Sequence, residues 1–547
     1  MKKYGLNELY KILKCRYNEL LKRYNCDEIS DVDYFFYGIN YDIVTNCLNI
    51  VTNILSNNIE SAGVDISCRS IIEAMLILKL DANGIITDNQ KKIYRYSYAY
   101  VEEGNYKALF GNAINNFSHY NLNKIKEDKD IFIKTVCEHF KCKEKDLKKH
   151  KNKLLEPCFY LKSKLNERIS FPYLLSKYPM FNEGQIRMYE FFSLFIHPRC
   201  EMDLEVGIEI MKHRKEYVYY ILNMVFHYLL DCNLHGFDEN VRDFNQDFYL
   251  DSRFETDVNT IREFEKTISL IKENFYSFHN GTDNFGLQFI KKIECLVIDM
   301  IMSSSFNLNE HVISCFKSFI EEFSIFFAII LAQNKNEFDY LKKGYWLSSR
   351  VQLDAHFQAM GLKEINMQEE LLKIYNGYYK EKYKLDDYDK FCEDLKGNSL
   401  YFIRNEKKDF SARVNEFVKC IFESDNKSVD EIQMIYKFAK DMIHDVGYNF
   451  NSTPGLIELV AHKTLFYSLE IILINVLYTA LTLSNENIKV KINSIHDSLV
   501  NLINYQSKEI EKVYKKYQNL KLRNYNVEKI LFYLKKTNFF IVKTFVM

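Results

Sequence analysis

Apolar residues recur along this chain at the three-to-four-residue spacing of helices. Between residues 4 and 25, Leu6, Leu9, Tyr10, Leu13, Tyr17, Leu20 and Leu21 fall along one side of a predicted amphipathic helix. A second helix is predicted from about residue 40, over YDIVTNCLNIVTNIL. A third spans 66–80 and is closed by the turn residues Asp81-Ala-Asn-Gly84. Helical patterns continue over 94–101 and 131–140. A long aromatic-rich helix over 204–230 matches 456–483 in position, and Ile495, Leu499, Leu502 and Ile503 carry the pattern toward the C-terminus.

One stretch occurs twice. Residues 189–197 read YEFFSLFIH and residues 436–444 read YKFAKDMIH, with Tyr, Phe, Ile and His at the same offsets. On a helix Tyr189, Ser193 and His197 share one face, and Phe191, Phe192, Phe195 and Ile196 cover the others, so a buried helix is expected. The corresponding face of the second stretch carries Tyr436, Lys440 and His444. Upstream, Arg69-Ser-Ile-Ile-Glu73-Ala74 matches Arg350-Val-Gln-Leu-Asp354-Ala355, with Ser67 and Ser349 just before. Each places a cation and an acid at i and i+4, able to pair on one face. The order is the same in both halves, which points to a duplicated domain. The predicted architecture is all-α, with two tandem related helical-bundle domains and a C-terminal helical extension. Its parts are an N-terminal helix (1–34), repeat 1 (35–230), an acidic polar linker (231–260), repeat 2 (261–485) and a basic helical extension (486–547).

Composition supports the helical reading. Only 17 Gly and 5 Pro interrupt 547 residues, of which 47% are hydrophobic. The net charge of −1 gives no global field toward nucleic acid or membrane, so any such contact is local. The 13 Cys are scattered without a C-x-x-C pair, and the N-terminus lacks an apolar signal region, so a cytoplasmic protein with reduced thiols is expected. The most apolar window, 465–483, holds Glu470 in its interior and reads as a buried core helix, with no membrane span.

Several local features have a chemical and a plain reading. The basic run 141–153 is either a solvated face or a phosphate-binding patch. Cys137, His139, Cys142, His150 and Cys158 are spaced too irregularly for a zinc motif, so no metal and no cofactor are expected. Beyond Lys508, basic residues outnumber acids and alternate with Tyr514, Tyr517, Tyr525 and Tyr533. That composition suits a nucleic-acid or membrane-surface contact, and equally an ordinary amphipathic helix, which is the reading adopted. Arg69 with Glu73 is either a buried structural ion pair, with His197 bonded to it, or part of a site. In the site reading His197 or His444 is a general acid or base and Arg69 or Arg350 binds an anion.

These motifs resemble an uncharacterised bacterial family of all-helical domains, with an Arg-x3-Glu helix and a later helix bearing Tyr, Ser and His four apart. Arg69, Glu73, Tyr189, Ser193 and His197 fit that pattern, as do Arg350, Tyr436 and His444. Asp354 stands for Glu and Lys440 for Ser. The resemblance implies a fold and no activity. A second resemblance rests on Arg350-Val-Gln-Leu-Asp-Ala-His356, which is similar to the Arg-x4-6-His motif of HEPN-type helical ribonucleases. It implies helical bundles, often of toxin or phage-defence systems, in which Arg350 and His356 would act at a scissile phosphate. Val351 departs from the usual polar residue after the Arg, and Met75 occupies the His position in the first copy.

The expectation is a defence- or stress-linked effector acting on RNA or a nucleotide through an Arg/His site. The alternative is a non-catalytic interaction or regulatory protein, binding a protein partner or a second copy, in which the repeated polar residues are a core network. Enclosed, mutually satisfied side chains would favour the alternative; Arg and His converging on a solvent-reachable pocket would favour the effector.

Overall fold

The computed structural model describes residues 6–24, 29–56, 58–110, 122–148, 154, 158–196, 204–231, 284–330, 335–359, 368–384, 386–397, 410–422, 426–444, 454–482 and 486–517. Among them the protein is all-α and contains no strand. The helices in chain order are α1 (Leu6–Tyr24), α2 (Asp31–Leu55), α3 (Ala62–Ala82), α4 (Asp88–Phe110), α5 (Leu122–Phe140), α6 (Glu144–Lys148), α7 (Phe171–Lys177), α8 (Glu183–Phe195) and α9 (Leu204–Asp231). They are followed by α10 (Asn284–Ser305), α11 (Asn309–Ile330), α12 (Lys335–Ala359), α13 (Gln368–Ile374), α14 (Lys380–Tyr383), α15 (Tyr388–Gly397), α16 (Phe410–Ile421), α17 (Asn426–His444), α18 (Pro454–Thr482) and α19 (Glu486–Tyr517).

Local chemistry sets the helix starts. Ser30 caps α2, its hydroxyl accepting from the Asp33 amide at 3.1 Å, and Ser61 caps α3 by accepting from the Gly63 amide at 3.1 Å. Asn182 and Gln185 form a reciprocal capping box on α8. Helix α2 begins well before the predicted start near residue 40, and both Tyr34 and Tyr41 lie within it. The expected boundary between 34 and 35 therefore falls inside a helix. The added turns carry the Ser30 cap and acidic first-turn residues Asp31 and Asp33, while every residue from Gly38 to Asn53 is buried.

The packing joins the first and second halves. Helix α2 lies on α1, α3 and α4, and α3 on α8; α11 lies on α10, α16, α17 and α18, and α18 on α19. Across the middle α3 packs on α11, and α10 on both α2 and α3. Among the described residues, the main apolar core extends from Leu9 to Val513. Apolar α18 sits inside it, and no described helix is long and apolar enough to cross a membrane. Every cysteine whose side chain is described is free. Of the expected linker, 232–260 lies outside the described residues, as do 149–153 of the basic run and 518–547 of the extension. Residues 144–148 of that run form the short helix α6.

Helices α2 and α4 approach closely at Gly38, where a Cβ would fall 2.2 Å from the buried Tyr94 hydroxyl. Gly38→Ala gains helix propensity but overpacks this contact. It is expected to lower unfolding free energy by about 1–2 kcal/mol in urea titration.

Candidate functional site

The Arg-x3-Glu pair forms as the spacing predicts. On α3, Arg69 Nε donates to Glu73 Oε1 at 2.9 Å. The Tyr189 hydroxyl, from α8, donates to the same oxygen at 3.1 Å, and the Arg69 guanidinium lies 5.5 Å from the centre of the Tyr189 ring. All three residues are buried. Ser193 sits one turn beyond Tyr189, with its hydroxyl shielded from solvent. Glu73 Oε2 is buried without a hydrogen-bond partner among the described residues.

A second arrangement of the same kind lies beside the first. Lys317 Nζ of α11 donates to Glu321 Oε2 at 3.1 Å, and the Tyr436 hydroxyl of α17 donates to Glu321 Oε1 at 2.8 Å. Lys440, one turn after Tyr436, stands 5.7 Å from that ring's centre and donates to Ser411 Oγ of α16 at 2.8 Å. The two arrangements are neighbours across the α3–α11 contact. Ser318 Oγ donates to the Ile196 carbonyl at 2.7 Å, and Ile66, Ile196 and Ile443 form a small buried cluster of their own. The ends of the two Tyr-bearing helices thus meet.

The electrostatics follow from burial. Desolvation pushes the Glu73 carboxyl above the usual range, against the pull of Arg69 and Tyr189. It also pushes the Tyr189 hydroxyl well up, which keeps it protonated and donating. Burial lowers the Lys317 ammonium; Glu321 opposes that shift, while Arg69 and Lys440 add to it. Arg69 and Lys440 therefore both act on the buried Lys317.

The carboxylate bonded to Tyr436 is Glu321 of α11, whereas sequence matching gave that role to Asp354 of α12. Arg69-Ser-Ile-Ile-Glu73 and Lys317-Ser-Phe-Ile-Glu321 share Ser, Ile and Glu at equal offsets, a signal that matching on the arginine overlooks. Arg350 is buried on α12, at 5% exposure, behind the buried Ser348 and Ser349. The side chains of Asp354, His356 and His444 lie outside the described residues, as does all of His197. His139 bonds the Lys162 carbonyl at 2.9 Å.

A further polar network was not visible in the sequence. Between α2–α3 and α10–α11, the Asp299 carboxylate accepts from Ser61 Oγ at 2.6 Å, Asn53 Nδ2 at 2.9 Å and Ser303 Oγ at 3.3 Å. His311 and Cys315 of α11 stand against it. Helix α3 is pinned again by Asp65, which accepts two bonds from Arg214 of α9 at 3.0 Å each. No family of proteins, no curated protein and no solved structure matches this chain.

Two outcomes test the geometry. Tyr189→Phe and Tyr436→Phe each remove one donor from a buried carboxylate and are expected to cost about 1–3 kcal/mol of stability in denaturant titration. A buried carboxyl raised above its ordinary value of 4.5 contributes stability below that pH and loses it as pH rises through the folded value. Unfolding free energy in Glu73→Gln is therefore expected to decline less steeply than in wild type as pH rises from that value.

Proposed function

We propose that this chain is a non-catalytic interaction or regulatory protein, in which the repeated cation–carboxylate–tyrosine residues fix how the helices pack. The observation that carries this reading is the mutual pairing of Arg69, Glu73 and Tyr189 and of Lys317, Glu321 and Tyr436, all buried. Their charged groups meet one another within the buried core. Buried ion pairs give little net stability compared with apolar packing, yet each is strongly unfavourable when half removed. They suit a role in specifying one packing among several. A duplication in which α2, α3 and α8 correspond to α10, α11 and α17 accounts for the device occurring twice.

A second reading, an effector acting on RNA or a nucleotide, draws on a specific observation. Arg69 and Lys440 both act on the buried Lys317, and a cluster of cations favours an anion. The experiment is incubation of purified full-length protein with single-stranded and structured RNAs and with nucleotides, alongside His197→Ala, His356→Ala and His444→Ala. The interaction reading predicts no cleavage or turnover by any of these proteins. Cleavage by the wild type, lost in one His variant whose unfolding midpoint is unchanged, would overturn it and identify the catalytic copy.

A further inference from the structure

We propose that Asp299, His311 and Cys315 form a buried zinc site that locks the second half of the chain onto the first. Their ligand atoms all lie within 4.8 Å of one another, and among the described residues no other group of three metal-binding side chains does this. His311 Nε2 is 3.3 Å from Asp299 Oδ1 and 3.3 Å from Cys315 Sγ. Zinc bonds of about 2.0–2.3 Å at tetrahedral angles put neighbouring ligand atoms about 3.3–3.6 Å apart. Histidine and cysteine four residues apart on α11 share a face, and α10 supplies the carboxylate opposite.

The orientation of the imidazole separates a metal site from a catalytic relay. A Cys–His–acid relay uses the two ring nitrogens on opposite sides, one for the thiol and one for the acid. Here a single nitrogen, Nε2, faces both the sulfur and the carboxylate. The other, Nδ1, lies 3.4 Å from Ser67 Oγ, which also accepts from Asn49 Nδ2 at 3.1 Å. With Nδ1–H donating to Ser67, Nε2 presents a lone pair to the same point as the carboxylate and the sulfur. These three atoms converge on one point in a dry interior, an arrangement that a bound cation would fill.

The surroundings are built for the same purpose. Asn53 and Ser61 donate to Asp299 and fix its orientation, Ser67 contacts the imidazole, and Asn49 donates to Ser67 while accepting from Ser303. Such outer partners orient metal ligands. Asn49, Asn53, Ser61 and Ser67 belong to α2, α3 and the turn between them, while the ligands belong to α10 and α11, so the metal would tie the two halves. Gly63 leaves the space alongside: a Cβ there would fall 1.9 Å from Asp299 Oδ2 and 2.6 Å from Cys315 Sγ. Mixed oxygen, nitrogen and sulfur donors suit zinc. Binding converts the Cys315 thiol to a thiolate, and its proton leaves to solvent; no electron moves. Burial of all three ligands makes the site structural, and the proposal stands whichever function the chain serves.

The test uses chelator-treated full-length protein titrated with Zn²⁺, with Co²⁺ as a spectroscopic probe. We expect about one equivalent of zinc per chain, a thiolate-to-cobalt charge-transfer band, and a raised melting temperature. Cys315→Ser is expected to abolish the band and the thermal shift, and Ser61→Ala to weaken zinc binding about 10–100-fold. The wild-type measurement stands alone if a variant fails to fold. Folded wild type that binds no stoichiometric zinc or cobalt would overturn the proposal, leaving His311 and Asp299 as partners in a polar network alone. Equal zinc binding and an equal cobalt band in Cys315→Ser would overturn it too, placing the metal elsewhere.

Discussion

Two carboxylates in the centre of a helical core, Glu73 and Glu321, set the terms for the rest of the molecule. A carboxylate there is tolerated only where a cation and hydrogen-bond donors reach it. Glu73 obtains them from its own helix, through Arg69, and from α8, through Tyr189. Glu321 obtains them from Lys317 and from Tyr436 on α17. Each demand fixes one helix pair in rotation and in register. Because α3 and α11 pack on each other, the two demands are met side by side, and the halves are held in one core.

Farther toward the start of α3 the same seam is polar in another way. Asn49, Asn53, Ser61 and Ser67 face Asp299, Ser303, His311 and Cys315, where a purely apolar contact would have been simpler. Apolar faces slide past one another at small cost, whereas a half-satisfied buried network is strongly unfavourable. The seam between the halves therefore has one good alignment, supported near one end by hydrogen bonds and further along by ion pairs.

The sequence made some of this legible. Arg69 and Glu73 at helical spacing were enough to anticipate a buried pair, whereas α8, expected to be buried, buries Tyr189 and its phenylalanines and leaves Glu183, Arg187 and Glu190 exposed. Lys317 was missed because lysine replaces arginine there, while Arg350, with the identical residue, attracted the match. The early start of α2 is marked by Ser30, whose side chain caps the helix at Asp33, a short polar signal ahead of the apolar run. Asp299, His311 and Cys315 carry no short motif: a twelve-residue interval containing a helix turn separates the acid from the histidine, and only the packing of α10 on α11 closes it. The fold class depends on local periodicity and was readable; these contacts depend on which helices meet, which periodicity does not encode.

The claim that the buried pairs specify packing is tested most directly by a double-mutant cycle on Arg69 and Glu73. Glu73→Leu alone leaves a buried guanidinium without its carboxylate, and a loss of about 3–5 kcal/mol in unfolding free energy is expected. Arg69→Met with Glu73→Leu should recover most of that loss, because an apolar pair of similar volume replaces an ion pair at little net cost. Single and double variants all within about 0.5 kcal/mol of wild type would contradict the account, since that is the behaviour of surface substitutions.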